Sequence, residues 1–145
     1  MIFTADSSIV ISAFFVSEKN HSDAHLFYQN VMRGEITLVI PASVPIEILC
    51  AIGRRLRQTA IPREFAVGFW NALMNCPNVV CKSVDKQFMH ETAWMGWKYG
   101  LKGMDALVAT TAFNFGIPLV SSDKDFESVR SVVEVLTLKE ALKRS

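Results

Sequence analysis

Short apolar runs alternate with longer stretches in which apolar residues return every three or four positions, and this alternation spans the chain. Ile2 to Ala5 is a short buried strand ending at Asp6-Ser7-Ser8, and Ile9 to Phe15 continues as a turn of helix. From Ser22 to Arg33, Ala24, Phe27, Tyr28, Val31 and Met32 recur at helical spacing behind a Ser22 cap, and Gly34 ends the segment. Thr37 to Ile40, closed by Pro41, is the second strand; a helix starts near Ser43 with Pro45 in its first turn and an apolar stripe of Ile46, Leu49, Cys50, Gly53 and Leu56. Pro62 opens a helix carrying Phe65, Ala66, Phe69, Trp70, Leu73 and Met74, broken by Asn75-Cys76-Pro77-Asn78.

Val79 to Lys82 is the third strand, and Lys86 to Tyr99 a helix between an Asp85 cap and Gly100. Met104 to Phe115 is a further helix, apolar almost all round and therefore expected to be buried, stopped by Gly116-Ile117-Pro118. Leu119 to Ser121 is the fourth strand, Asp123 to Val129 a short helical or turn segment, Val133 to Leu138 the last strand and Lys139 to Arg144 a final helix. Strands alternating with helices, with no repeat or Pro/Gly/Ser linker, predict one domain over residues 1–145: a three-layer α/β fold with a mostly parallel sheet of about five strands.

That architecture gives meaning to the acids. Asp6 and Asp123 follow strands, while Glu47 and Asp105 stand where helices begin. In an open α/β sheet the carboxyl ends of the strands form the ligand crevice, so acids distant in sequence can converge there. Converging like charges need a counter-charge, and hard divalent cations such as Mg²⁺ or Mn²⁺ accept oxygen ligands, which points to metal-assisted phosphodiester chemistry. Each acid also has a plainer use. Asp6 before two serines suits a helix cap, Glu47 a first-turn position favoured by the helix dipole, and Asp105 a cap as well as a cavity-facing acid. Asp125 lies further from the strand end than Asp123 and is the weaker candidate. Arg54, Arg55 and Arg57 suit a solvated face as readily as a phosphate contact, and Lys102 suggests a substrate-facing rim beside Asp105.

Composition narrows the classes. The chain has 145 residues, 15 Lys+Arg against 14 Asp+Glu, a net charge of +1 and 50% hydrophobic residues. No global basic field advertises nucleic acid, so any such contact is local. Three cysteines, Cys50, Cys76 and Cys81, form no C-x-x-C pair and read as buried free thiols of a reducing compartment. No apolar run approaches the roughly 18 residues of a membrane span, and the start lacks a basic n-region, which points to the cytoplasm and no membrane partner. His21, His25 and His90 fall in no zinc or triad pattern. Neither G-x-G-x-x-G nor G-x-x-x-x-G-K-[ST] is present, and Asp6-Ser7-Ser8 lacks the acidic pair expected of aspartyl-phosphate hydrolases and receiver domains.

Asp6-Ser7-Ser8, Leu38-Val39-Ile40-Pro41 leading to Glu47 and a downstream arginine, Met104-Asp105-Ala106-Leu107-Val108-Ala109, and Val120-Ser121-Ser122-Asp123-Lys124-Asp125-Phe126 occur in an order and spacing that resemble the PIN-domain ribonucleases, in particular the VapC-type toxins. The resemblance runs nearly end to end. It implies that Asp6, Glu47, Asp105 and Asp123 are the metal-binding, catalytic acids, with Asp125 as an accessory and Ser8 orienting Asp6. On that reading Asp6, Asp105 and Asp123 hold one Mg²⁺ or Mn²⁺, Glu47 holds a second ion or a water, and water attacks the RNA phosphorus in line without a histidine base. Arg54, Arg57 and Lys102 would position the phosphates. A homodimer neutralised by a small VapB-like antitoxin is implied as the partner arrangement. The rival expectation is a catalytically weak PIN-like module that binds RNA or protein through surplus aromatics among Phe14, Phe15, Phe69, Trp70, Trp94 and Trp97, although core packing is the usual use of each singly.

Overall fold

The computed structural model describes residues 1–145. Five strands, β1 (Ile2–Ala5), β2 (Thr37–Pro41), β3 (Val79–Lys82), β4 (Leu119–Val120) and β5 (Val135–Leu136), form one sheet in the order β3-β2-β1-β4-β5. Every pairing is parallel. Parallel neighbours need crossover connections, and the intervening helices supply them: α1 (Ser7–Phe14), α2 (His21–Met32), α3 (Ser43–Leu56), α4 (Arg63–Asn75), α5 (Lys86–Tyr99) and α6 (Gly103–Phe115). A 3₁₀ segment, η1 (Lys124–Val129), joins β4 to β5, and α7 (Leu138–Arg144) closes the chain. The sheet is all-parallel and flanked by helices, as the alternation predicts.

Strand order fixes where a ligand can enter. From β1 the chain builds outward through β2 to β3, then returns to place β4 and β5 on the other side, so the order reverses between β1 and β4. At such a reversal, flanking loops diverge and leave a crevice beyond the strand ends. Thr4 pairs with Leu119 and Ala5 with Val120, which sets Asp6 beside Ser121 at the mouth of that crevice. Phe3, Thr4, Ala5, Leu119 and Val120 are all buried, as expected for central strands covered on both faces.

The helices show why they form. Asp85 caps α5 by accepting from the Phe88 amide at 2.8 Å, and α5 ends where Gly100 takes φ 69°, a left-handed value that favours glycine. Replacing Asp85 with Ala is therefore expected to cost about 1 kcal/mol, read as a lower urea midpoint with faster amide exchange in the first turn of α5. Only Phe88, Thr92 and Met95 of α5 are buried, a single stripe at spacings of four and three. Gly96 lies where a Cβ would stand 3.3 Å from Ala106 Cβ and from the Leu101 carbonyl oxygen, so its missing side chain lets α5 close tightly on α6.

Several expectations are corrected. Asn20, not Ser22, occupies the start of α2 and makes no side-chain cap bond. In α3 the buried stripe is Val44, Ile48, Ile52 and Leu56, at strict spacings of four, while Ile46, Leu49, Cys50 and Gly53 face outward. That helix carries two apolar stripes, and its helical neighbours α1, α4 and α6 cover only one. The last strand is shorter than Val133 to Leu138, because Thr137 caps α7 in a reciprocal bond with Glu140 and places Leu138 in the helix. Of the cysteines only Cys76 is buried; Cys50 lies on the outward stripe of α3 and Cys81 on edge strand β3, whose residues are exposed or half-buried. Phe65, Met74, Trp94 and Trp97 are also exposed rather than in the core.

Candidate active site at the strand ends

Asp6 is the most constrained acid. It is buried, and its Oδ1 accepts from the Ser8 amide at 2.7 Å, which caps α1. The Ser8 hydroxyl donates to the same oxygen, and the Ser121 hydroxyl donates to Oδ2. Ser121 Oγ in turn accepts from the Asp123 amide at 3.0 Å. An unbroken relay thus ties the end of β1 to the end of β4. Cap and cavity-directed acid are not exclusive readings of Asp6, since the cap bond fixes the carboxylate that the serines orient.

Asp105 occupies the first turn of α6 behind Lys102, which makes no side-chain cap bond. Its own carboxylate has no hydrogen-bond or ion-pair partner. Burial first, then the charges of Asp123, Asp125 and Asp6, push its pKa above the usual carboxylate value, while Lys102 opposes them. Asp123 accepts from the Asp125 amide at 2.9 Å and so caps η1. Asp125 bonds Lys102 at 2.8 Å, and this exposed pair holds the Lys102 ammonium above its ordinary range. Glu47 is half-buried and lies past the first turn of α3, so the helix dipole expected to explain it acts elsewhere.

Glu47, Lys102, Asp105 and Asp123 line one open cavity of about 790 Å³, with Met89 and Ala93 of α5 on its apolar wall. Asp6 reaches this group through Ser121 and through its charge on Asp105. Arg54 and Arg57 do not line it. With Arg63 they line a separate groove of about 540 Å³ between α3 and α4, beside the outward Leu49 and Cys50. Arg55 instead bonds Glu18 at 2.6 Å and lies 3.8 Å over the Phe15 ring. None of the three histidines lines the acidic cavity.

The donor chemistry suits a hard divalent cation: the acids offer oxygen alone, and burial together with neighbouring like charge raises the Asp105 pKa, a cost that a cation would relieve. The spacing is open, with no three His, Cys, Asp or Glu side chains close enough to hold one metal ion. Ser121 carries no assignment in the sequence reading. A serine after an apolar strand is common, and only the β1–β4 pairing makes it the link between two acids.

No helix is long and apolar enough to cross a membrane. No curated protein matches the chain. Among solved structures, PAE2754 from Pyrobaculum aerophilum superposes with a TM-score of 0.73 at 17% identity, covering 99% of this chain and 88% of that one. VapC20 from Mycobacterium tuberculosis, described as a sarcin-ricin-loop-cleaving toxin, gives 0.68 at 19% identity over 93% and 98%. VapBC2 from Rickettsia felis, solved bound to a DNA fragment from its promoter, gives 0.67 at 13% identity over 94% and 98%. At these identities the likeness is one of fold. The model of the PIN domain matches residues 4–132, from β1 through η1 and so across all the acids above, and the chain belongs to the PIN domain family, a membership that supports a nuclease.

Proposed function

We propose that the chain is a metal-dependent endoribonuclease of the VapC toxin type, hydrolysing RNA phosphodiester bonds at the Glu47, Asp105 and Asp123 cavity. The observation that carries this reading is the unpartnered Asp105, raised by burial and by neighbouring acids in a cavity open to a strand of RNA. Asp6, Asp105 and Asp123 would hold Mg²⁺ or Mn²⁺ once Asp105 and Asp123 close on the fixed Asp6, with Glu47 contributing to a second position or to a water. When bound, the cation supplies positive charge against the phosphate and lowers the pKa of water.

The chain's own groups do the rest. Asp6 is held by Ser8 and Ser121, so its orientation is fixed before substrate arrives. Lys102, at the rim, can exchange its Asp125 partner for a phosphate oxygen. Water gives up one proton to solvent as its oxygen attacks in line with the scissile P–O bond, which breaks as the new one forms, and the departing oxygen takes up a proton from solvent. Arg54 and Arg57, in their separate groove, would bind more distant phosphates. By analogy with VapBC structures and a toxin-antitoxin complex from Klebsiella pneumoniae, we extend the proposal to a homodimer held inactive by a VapB-like antitoxin, with residues 1–145 acting as one PIN-like domain.

The open spacing of the acids favours one alternative, a catalytically weak PIN-like module that binds RNA or protein. Incubation with structured and single-stranded RNA separates the two. Cleavage that stops with a chelator, returns with Mg²⁺ or Mn²⁺ and falls at least about 100-fold in Asp6→Asn is expected of the enzyme. Metal-independent RNA binding without cleavage supports the module.

A further inference from the structure

Helix α5 exposes two tryptophans that neither the core nor the acid cluster uses. Trp94 is 67% and Trp97 79% exposed, although so large an apolar surface is ordinarily covered. Their ring centroids stand 5.6 Å apart with the planes at 87°, an edge-to-face pair. Position along the helix ties the pair to the cavity. Met89 and Ala93 line the apolar cavity wall, and Trp97 follows Ala93 by four residues and Met89 by eight, continuing that face about 6 Å beyond Ala93. The close approach at Gly96 fixes α5 against α6, the helix that carries Asp105.

We propose that Trp94 and Trp97 form a stacking platform for unpaired bases of an RNA strand whose backbone runs into the acidic cavity. The inference rests on the ribonuclease reading and names the part of the substrate that α5 binds. Two observations favour an unpaired RNA strand over a protein partner. One turn either side of Trp94 stand His90 and Lys98, both exposed, and Lys102 stands at the cavity rim just past the helix end. Lysines suit a polyanion and are depleted from protein interface cores. Perpendicular indoles cannot continue the parallel stack of a duplex, but they can each take one splayed base. Indole faces accept any base, so the platform adds affinity without reading sequence.

The test uses the full chain as Asp105→Asn, which suppresses turnover, and the anisotropy of a fluorescein-labelled unstructured RNA of about ten nucleotides. Adding Trp94→Ala and Trp97→Ala is expected to weaken binding at least about tenfold, with far-ultraviolet circular dichroism unchanged. Trp94→Phe with Trp97→Phe should recover most of the affinity, and an abasic strand of the same length should bind all variants alike. Unchanged affinity in the double alanine variant, or an equal loss with the abasic strand, overturns the platform. So does a shift from dimer to monomer in sedimentation with RNA affinity intact, which would make this face a contact between copies. Cleavage by the wild-type chain is scored separately. Its absence, with the stacking effect present, removes the ribonuclease reading alone.

Discussion

Asp105→Asn is expected to abolish RNA cleavage, by about 10²–10³-fold or more, and at the same time to stabilise the fold. The two effects share one cause. Burial and the charges of Asp123, Asp125 and Asp6 raise the Asp105 pKa in the folded chain above its unfolded value. A carboxyl raised in this way favours folding while protonated, fully so below the unfolded pKa. That contribution is lost as pH rises through the folded value, so at neutral pH the ionised group works against the fold. Asparagine keeps the shape and removes the charge. Because Asp105 is only half-buried the gain is small, about 1–2 °C in melting temperature for a chain of this length, measured in chelator so that no cation screens the acids. The gap between variant and wild type should widen from acid to neutral pH. Full cleavage activity in the variant would remove Asp105 from the chemistry, and a lower melting temperature at neutral pH would show that like-charge repulsion is not what raises it.

The same residue shows what sequence could and could not supply. A charge at the mouth of an apolar helix is visible in Gly103-Met104-Asp105-Ala106, and a strand ending at Asp6 is visible in Ile2 to Ala5, because both are local patterns. Gly100 and Gly116 end helices where left-handed backbone is needed, at φ 69° and 61°, and that too is local chemistry. Ser121 was not legible as a partner of Asp6, since 115 positions separate them and only the β1–β4 register brings them together. Arg54 and Arg57 follow Glu47 on one helix, yet they face a groove between α3 and α4 while Glu47 faces the cavity. Helical period alone did not decide which of the two stripes of α3 its neighbouring helices would cover. Trp94 and Trp97 stand three residues apart on an apolar-rich helix, but the buried stripe of α5 is Phe88, Thr92 and Met95 alone, and the indoles, one residue before and two after Met95, fall off it. In each case the missing information was which surface a neighbour covers, a property of packing that no single segment carries.

Packing also decides whether the acids can meet, and Phe126→Ala should show it. Phe126 is 0% exposed on η1, a 3₁₀ segment of six residues with few internal hydrogen bonds to hold its shape. Its ring belongs to the same core cluster as Leu119 and Val120 of β4 and Val135 and Leu136 of β5, so side-chain burial rather than helix propensity seats the segment. Truncating such a ring costs the transfer energy and leaves a cavity, about 3–5 kcal/mol in all. Against a total of about 5–15 kcal/mol that is roughly a fifth or more of the stability, and the urea midpoint should fall by roughly 1.5–2.5 M. Phe65→Ala, at a ring 65% exposed, should stay within about 0.5 kcal/mol. The loss at Phe126 also has a reach that Phe65 lacks. Asp123 caps η1 and donates its amide N–H to the Ser121 hydroxyl oxygen, and Asp125 on η1 holds Lys102, so loosening the segment should reduce cleavage even where the chain remains folded. Cleavage at the wild-type rate by folded Phe126→Ala would mean that Asp123 keeps its place without η1, and that the β4 strand end alone positions it.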